Sequence, residues 1–471
     1  MKTPAPAPDP ATDGPVMVSL YAAQKKVYPR SIKGLFASWR WFFVFATQIF
    51  YYGMPWVQWG GRQAMLFDLD ARRFYIFGLV LYPQDVIYLT AILIISAMLL
   101  FLFTAVAGRQ WCGYACPQTV YTEIYLWVEK RFEGDRQARM RLDAAPMSLG
   151  KLWRKGGKHL VWIAIGLWTG FTFVGYFTPI RELAAHVLAW RLGPWETFWV
   201  FFYGFATWGN AGFMREQVCK YMCPYARFQS AMFDKDTLIV TYDAARGEPR
   251  GGRSKKADPK ALGLGDCIDC TMCVQVCPTG IDIRDGLQYE CISCAACIDA
   301  CDEVMDKVGY PRGLIRYSTE RALEQGWGKR EILRQVMRPR VLIYSAILAA
   351  VAMAFVASLV LRTPFKVDIV RDRATLARIV EGGQIENIYR IQVMNATEQA
   401  REFTLSVEGL PGLQLVSDPK VTIDAAGALW VPVRLRLPYD GAKPGSHEIH
   451  FRVDSPGVGE VREKSVFMVP R

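Results

Sequence analysis

Twelve cysteines, at 112, 116, 219, 223, 267, 270, 273, 277, 291, 294, 297 and 301, are the residues of this 471-residue chain best suited to chemistry. Eight form two runs. Cys267-x2-Cys270-x2-Cys273-x3-Cys277-Pro278 has the bacterial ferredoxin spacing, and Cys291-x2-Cys294-x2-Cys297-x3-Cys301 repeats it without the proline. Such spacings let one tight loop aim three thiolates at three corners of a cubane while the partner run supplies the fourth ligand. The expected ligand sets are Cys267, Cys270, Cys273 and Cys301 for one [4Fe-4S] cluster, and Cys291, Cys294, Cys297 and Cys277 for the other. CxxC pairs also suit tetrahedral zinc, but two complete four-cysteine runs weigh against it. A pair of crossed-ligand clusters passes single electrons, so the rest of the chain must offer a donor or an acceptor.

The other four cysteines repeat a different pattern. "QWCGYACP" (110–117) and "QVCKYMCP" (217–224) share Q-x-C-x-Y-x-C-P, and each follows an apolar run. Pro117 and Pro224 suit the first turn of a helix, which makes Cys116 and Cys223 N-caps, where the helix dipole favours thiolate. Arg109 and Arg215 nearby are expected to lower the thiol pKa further. The helix after Pro117, with Val120, Tyr121, Ile124, Trp127 and Val128 on one face, reads as an amphipathic piece on a membrane surface. Folded together, Cys112, Cys116, Cys219 and Cys223 would form a soft four-thiolate site, able to hold Cu(I) or a further iron–sulfur centre. Met214 and Met222 could add thioethers but suit core packing better. His447 and His450, three apart in an expected strand, make a poor metal pair.

The elements that must position these residues are of three kinds. Hydrophobic residues make up 52% of the chain and aromatics 13%, which suits a multi-pass membrane protein. Apolar runs near 39–57, 86–107, 160–180, 195–213 and 341–361 approach or reach membrane length. Arg40 and Gln48 shorten the first, and Glu196 and Asn210 suggest that the later ones face protein. The net charge of +12 collects in alternate loops, so it reports topology rather than nucleic-acid binding. By the positive-inside rule the N-terminus, the 108–159 loop and the 214–340 segment are cytoplasmic and 362–471 is outside. All the cysteines then lie on the reducing side or at its boundary, where disulfides are disfavoured. The 245–266 stretch reads as a tether. Ile391 and Val393, Phe403, Leu405 and Val407, Val431, Val433 and Leu435, and Ile449, Phe451 and Val453 alternate as strands separated by turns, which predicts an immunoglobulin-like sandwich.

The expected fold is therefore an α-helical multi-pass membrane protein with an inserted bacterial ferredoxin-like 2[4Fe-4S] domain and a C-terminal immunoglobulin-like β-sandwich. Its expected parts are a cytoplasmic tail (1–36), a four-span core carrying both C-x3-C-P repeats (37–235) and a cytoplasmic linker (236–262). The ferredoxin-like domain (263–318), a connector (319–340), a fifth transmembrane helix (341–361) and the periplasmic domain (362–471) follow.

Assembled in this way, the chain resembles the cytochrome c oxidase accessory proteins called CcoG, FixG or RdxA. The resemblance rests on "LYAAQKKVYPRSIKG" (20–34), both C-x3-C-P motifs, the double ferredoxin run, "MDKVGYPRGLIRYSTE" (305–320) and "NIYRIQVMNAT" (387–397). One departure is that Asp302, not proline, follows Cys301. The resemblance implies an inner-membrane cupric reductase, which reduces Cu(II) to Cu(I) for the copper centre of a cbb-type haem–copper oxidase. It would draw on a cytoplasmic electron donor and have the oxidase or its copper chaperones and membrane lipid as partners. Copper chemistry carries over onto Cys112, Cys116, Cys219 and Cys223 as catalytic residues, with copper as substrate or transient ligand. Two other readings stand beside it, a quinol-linked electron-transfer subunit for an exported reductase and a non-catalytic assembly scaffold. The absence of CxxCH counts against the first of these.

Overall fold

A computed structural model describes residues 26–254, 261–372 and 377–470. Residues 20–25 of the family-like segment, most of the expected tail and part of the tether lie outside this range.

The apolar runs are helical, with shifted ends. In chain order the helices of the N-terminal half are α1 (Leu35–Gly53), α2 (Val86–Ala107), α3 (Gln110–Tyr114), α4 (Pro117–Glu133), α5 (Arg136–Ala144), α6 (Leu149–Val174), α7 (Ile180–Leu188), α8 (Pro194–Gly209) and α9 (Pro224–Met232). Helix α6 begins well before residue 160 because Ser148 caps it, accepting a hydrogen bond from the Lys151 N–H. Helix α8 stops short of 213, where the chain enters a π-helical turn, Asn210–Met214.

Among the described residues, two helices are long and apolar enough to cross a membrane, Pro83–Ala107 and Pro339–Leu361. They run antiparallel and side by side. The Tyr88 hydroxyl lies 3.3 Å from the Ser358 carbonyl at one end, and Arg338 donates to the Ala105 carbonyl at 2.7 Å at the other. Val86, Ile87, Leu93, Met353 and Val360 face outward. Helices α6 and α8 pack through glycines: a Cβ on Gly170 would lie 2.1 Å from the Val200 carbonyl, and one on Gly166 2.6 Å from that of Gly204. Small residues let the two backbones touch.

Helix α4 does not lie free on a surface. Val120, Tyr125 and Val128 are buried, and Tyr125 stacks on Trp162 of α6 at 5.1 Å. Beneath them Glu129 pairs with Arg139 (2.8 Å), Arg215 (2.9 Å) and Lys158 (3.5 Å), and Glu133 with Lys158 (2.7 Å) and Lys155 (3.1 Å). Counting one apolar face missed this second, charged face turned inward.

Three β features fall where the sequence reading places none, the smallest a two-residue ladder of Gln58–Trp59 with Arg62–Gln63. Between α1 and α2, inside the expected four-span core, Met65–Asp68, Arg73–Ile76 and Leu79–Leu81 form a three-stranded sheet. Within the expected linker, Ile239–Tyr242 pairs antiparallel with Ile315–Ser318 and closes the ferredoxin unit. Strands this short carry too little alternation to stand out.

The C-terminal region is a two-sheet sandwich. One sheet orders Gln414–Leu415, Ala428–Pro438, Gln384–Asn395 and Phe365–Arg371, with Arg378–Val380 on the side of the long third strand. The other orders Lys420–Ile423, Arg401–Glu408, Gly445–Ser455 and Gly459–Val469. Ile391, Val393, Phe403, Leu405, Val433, Leu435, Ile449, Phe451 and Val453 fill the core as expected, with Val407 and Val431 at its margin. The three-stranded sheet docks on one end of this sandwich. Leu66, Tyr75, Val80 and Tyr82 pack against Met394, Ala396 and Ala426, and Arg62 pairs with Glu398 at 2.8 Å.

Candidate iron–sulfur and thiol site

The two ferredoxin runs turn the same way through their first three cysteines. Asp269 and Thr271 flank Cys270 with φ of 53° and 55°, and Ser293 and Ala295 flank Cys294 with φ of 53° and 58°. A left-handed residue on each side of the middle cysteine turns the chain sharply, so that three thiols face one point. Such conformations cost non-glycine residues about 1 kcal/mol or more each and persist where something offsets them. Short helices, Met272–Val276 and Ala296–Val308, then carry the third cysteine of each run into place.

The thiols line two cavities. Cys267, Cys270, Cys273 and Cys301 border one, beneath Tyr242, Met305 and Leu314. Cys277, Cys291, Cys294 and Cys297 border the other, with Ile281, Ile283 and Ile292. These are the crossed ligand sets expected from the spacing, and Cys273, bordering both cavities, makes them neighbours. Each four-cysteine set surrounds its own cavity, which leaves room for an inorganic core between the sulfurs. Burial pushes the Cys273, Cys291 and Cys301 thiols up to about 12, and burial followed by the neighbouring sulfurs pushes Cys297 up as well. Four thiolates in an apolar cradle repel one another unless cationic metal lies among them, so the donor set fits [4Fe-4S] cores.

Both C-x3-C-P motifs place proline in the first helical turn, with Cys116 and Cys223 as N-caps of α4 and α9. Their local backbones differ: the first motif is the α-helical turn α3, the second the π-helical turn Val218–Met222. Burial opposes the expected activation at three of these four thiols. Burial raises Cys112 to about 12, against the pull of Arg109, and Cys219 to about 11; it raises Cys116 despite backbone N–H groups of Gln118 and Thr119. Arg215 is spent on Glu129 and on the Gly212 carbonyl. Cys112 and Cys219 feel the other motif's thiols, so the two copies come together as one part-buried thiol group.

What joins this group to the ferredoxin unit is backbone contact. A Cβ on Gly113 would lie 2.7 Å from the Ile292 carbonyl and 2.8 Å from Cys294 Cα. Cys112 and Cys219 pack against the buried cluster of Val276, Ile292, Cys294, Ala296 and Ala300. Arg109 donates to the carbonyls of Tyr289 and Cys291, the latter at 3.3 Å, and Arg40 of α1 to that of Cys294 at 2.9 Å. Tyr114 meets Tyr317 at 3.2 Å, and Tyr317 donates to the Ser293 carbonyl at 2.6 Å. Asp299 accepts the N–H groups of Phe36 (3.2 Å) and Ala37 (2.7 Å), which caps α1 from the ferredoxin side. Sequence reading missed Arg40, Asp299 and Tyr317 as docking residues. The one visible signal was glycine at 113 where the second copy has Lys220.

Paired four-cysteine cradles in a ferredoxin unit, joined by an apolar helix to an immunoglobulin-like sandwich, define an iron–sulfur electron-transfer protein. Three family models agree: a 4Fe-4S dicluster domain matches residues 214–320, a 4Fe-4S binding domain 89–133, and the IG-like fold at the C-terminal of FixG 355–470. The chain is 40% identical to the nitrogen fixation protein FixG of Rhizobium meliloti, over 83% of this chain and 81% of that one. It is 42% identical to protein RdxB of Cereibacter sphaeroides, over 84% and 85% respectively. It belongs to the FixG/RdxA family. A crystal structure of a FixG-related protein from Vibrio parahaemolyticus covers 22% of this chain and 95% of its own, at 24% identity and a TM-score of 0.21.

Proposed function

We propose that this is a five-span inner-membrane protein that delivers electrons from its two [4Fe-4S] clusters to Cu(II), producing Cu(I) for copper-centre assembly of a cbb-type haem–copper oxidase. The observation that carries this reading is the contact of the C-x3-C-P thiols with the second ferredoxin loop, Cys112 and Cys219 against Ile292 and Cys294. Soft sulfur ligands favour Cu(I) over Cu(II), so a thiol group beside an electron wire suits the reduced product. When bound, the iron–sulfur cores supply single electrons. The chain's own residues shield the second cradle from water, hold the loops at backbone contact and present Cys112, Cys116, Cys219 and Cys223 to the metal.

On this reading α1, α6 and α8 join the two strongly apolar helices as spans, with the cysteines on the cytoplasmic side and the sandwich in the periplasm. Partners are a cytoplasmic donor, surrounding lipid and the oxidase or its copper chaperones. The test is stopped-flow addition of Cu(II) to dithionite-reduced protein kept free of air. Return of the cluster absorbance that reduction had bleached, with stoichiometric Cu(I), is expected; clusters that stay reduced in the presence of Cu(II) would overturn the proposal.

A further inference from the structure

The two cradles differ in the charges around them. Arg40 and Arg109 reach the carbonyls of two ligands of the second cradle, Cys294 and Cys291, and are only 7% and 4% exposed. Their other hydrogen-bond partners are neutral, the Gln229 side chain and the Tyr289 carbonyl for Arg109, while Arg40 Nε has none. Glu123 acts through space on Arg40 and on Cys294, but more weakly on Cys294 than Arg40 does, and Asp299 is held by the first turn of α1. Arg284 at the first cradle is bound instead to two carboxylates, Asp282 at 2.6 Å and Asp269 at 2.5 Å. Arg253 reaches the Cys267 carbonyl at 3.4 Å but is part-exposed. Asp302, standing where the ferredoxin pattern has proline, lies beside Cys301.

We infer that Arg40 and Arg109 act as positioning residues that set the Cys277/Cys291/Cys294/Cys297 cluster at the higher reduction potential of the pair, directing electrons from the Cys267/Cys270/Cys273/Cys301 cluster toward the C-x3-C-P thiols. A reduced core carries one more negative charge than an oxidised one, so a buried cation stabilises the reduced form and raises the potential. A guanidinium already neutralised by aspartates, as at Arg284, does so far less. Solvent at the exposed Cys270 works the other way, but one solvated ligand is outweighed by two desolvated charges. The step is balanced in itself: one core loses an electron, the other gains it, and no proton moves. Arg40, which weakens α1 as a lipid-facing helix, thereby acquires a reason.

The inference rests on the two-cluster assignment and not on copper, and its test uses no copper. EPR-monitored redox titration of the reconstituted full chain in detergent resolves two one-electron midpoints. In R40Q the reduced-to-oxidised ratio at the wild-type upper midpoint falls about tenfold, which is about 59 mV for one electron, while the lower midpoint stays put. R109Q moves the same centre the same way, R40K restores most of the loss, and D302N raises the lower midpoint only. An R40Q protein with both midpoints unmoved, or with only the lower one shifted, overturns the inference. If R40Q does not retain iron, R40K and D302N decide: a D302N shift confined to the upper centre also overturns it.

Discussion

A single missing methyl group governs how closely the thiol group approaches the ferredoxin loop. Gly113 leaves room for the Ile292 carbonyl, and any side chain there must push the two segments apart. In G113V the iron content and EPR spectrum should be retained while oxidation of the reduced protein by Cu(II) slows at least tenfold, as single-turnover stopped-flow would show. The double variant C116S/C223S should likewise keep both clusters and lose copper turnover by about a hundredfold; unchanged turnover would reduce those cysteines to packing. At this scale the ligands themselves were legible, because cluster chemistry imposes spacing on the sequence. Arg40 and Arg109 were not, because a residue that reaches a carbonyl some 180 or more positions away along the chain leaves no local pattern.

Helices here are fastened by side chains from elsewhere in the chain. Helix α1 has no side-chain cap of its own; its first turn is satisfied by Asp299 on the Ala296–Val308 helix. Replacing Asp299 with Ala leaves two N–H groups without an acceptor, a cost of about 2 kcal/mol, and amide exchange at Phe36 and Ala37 should quicken about 30-fold. The α4–α6 contact depends on Glu129. Burial alone would raise its pKa, but Arg215, Arg139 and Lys158 prevail and hold it below the ordinary value of 4.5. Its stabilising contribution is therefore complete above pH 4.5 and is lost as pH falls through the lower folded value. Thermal melts from pH 7 to pH 3 should show that loss in the wild type. E129Q should be less stable at pH 7, by about 3 kcal/mol for the stranded cations, and flatter towards acid. Apolar periodicity revealed that these helices exist; it was silent on the inward-facing ion network of α4, since charged residues usually mark a solvent face.

Across the whole molecule, the antiparallel pair of apolar helices separates the cysteine-bearing end from the sandwich by about 33 Å, the length of α2 at 1.5 Å per residue. The sandwich was readable from strict alternation in its strands, and so was its core. Its docking was not, because the three-stranded sheet between α1 and α2 is too short and too ordinary in composition to announce a partner. Tyr82 fastens that joint, donating toward the Asn395 and Gly427 carbonyls at 3.0 and 3.1 Å. Y82F should weaken it by about 1 kcal/mol, seen as roughly fivefold faster hydrogen exchange across Met65–Leu81 with the sandwich itself unchanged.

That joint has a consequence for biogenesis. Tyr82 waits for Asn395, 313 positions further along. Until the last domain has been made and folded, Leu66, Tyr75 and Val80 lack the Met394, Ala396 and Ala426 side chains that cover them. A chain truncated before that domain would therefore expose one sticky face of the three-stranded sheet and invite chaperones or proteases there, even with every cysteine in place.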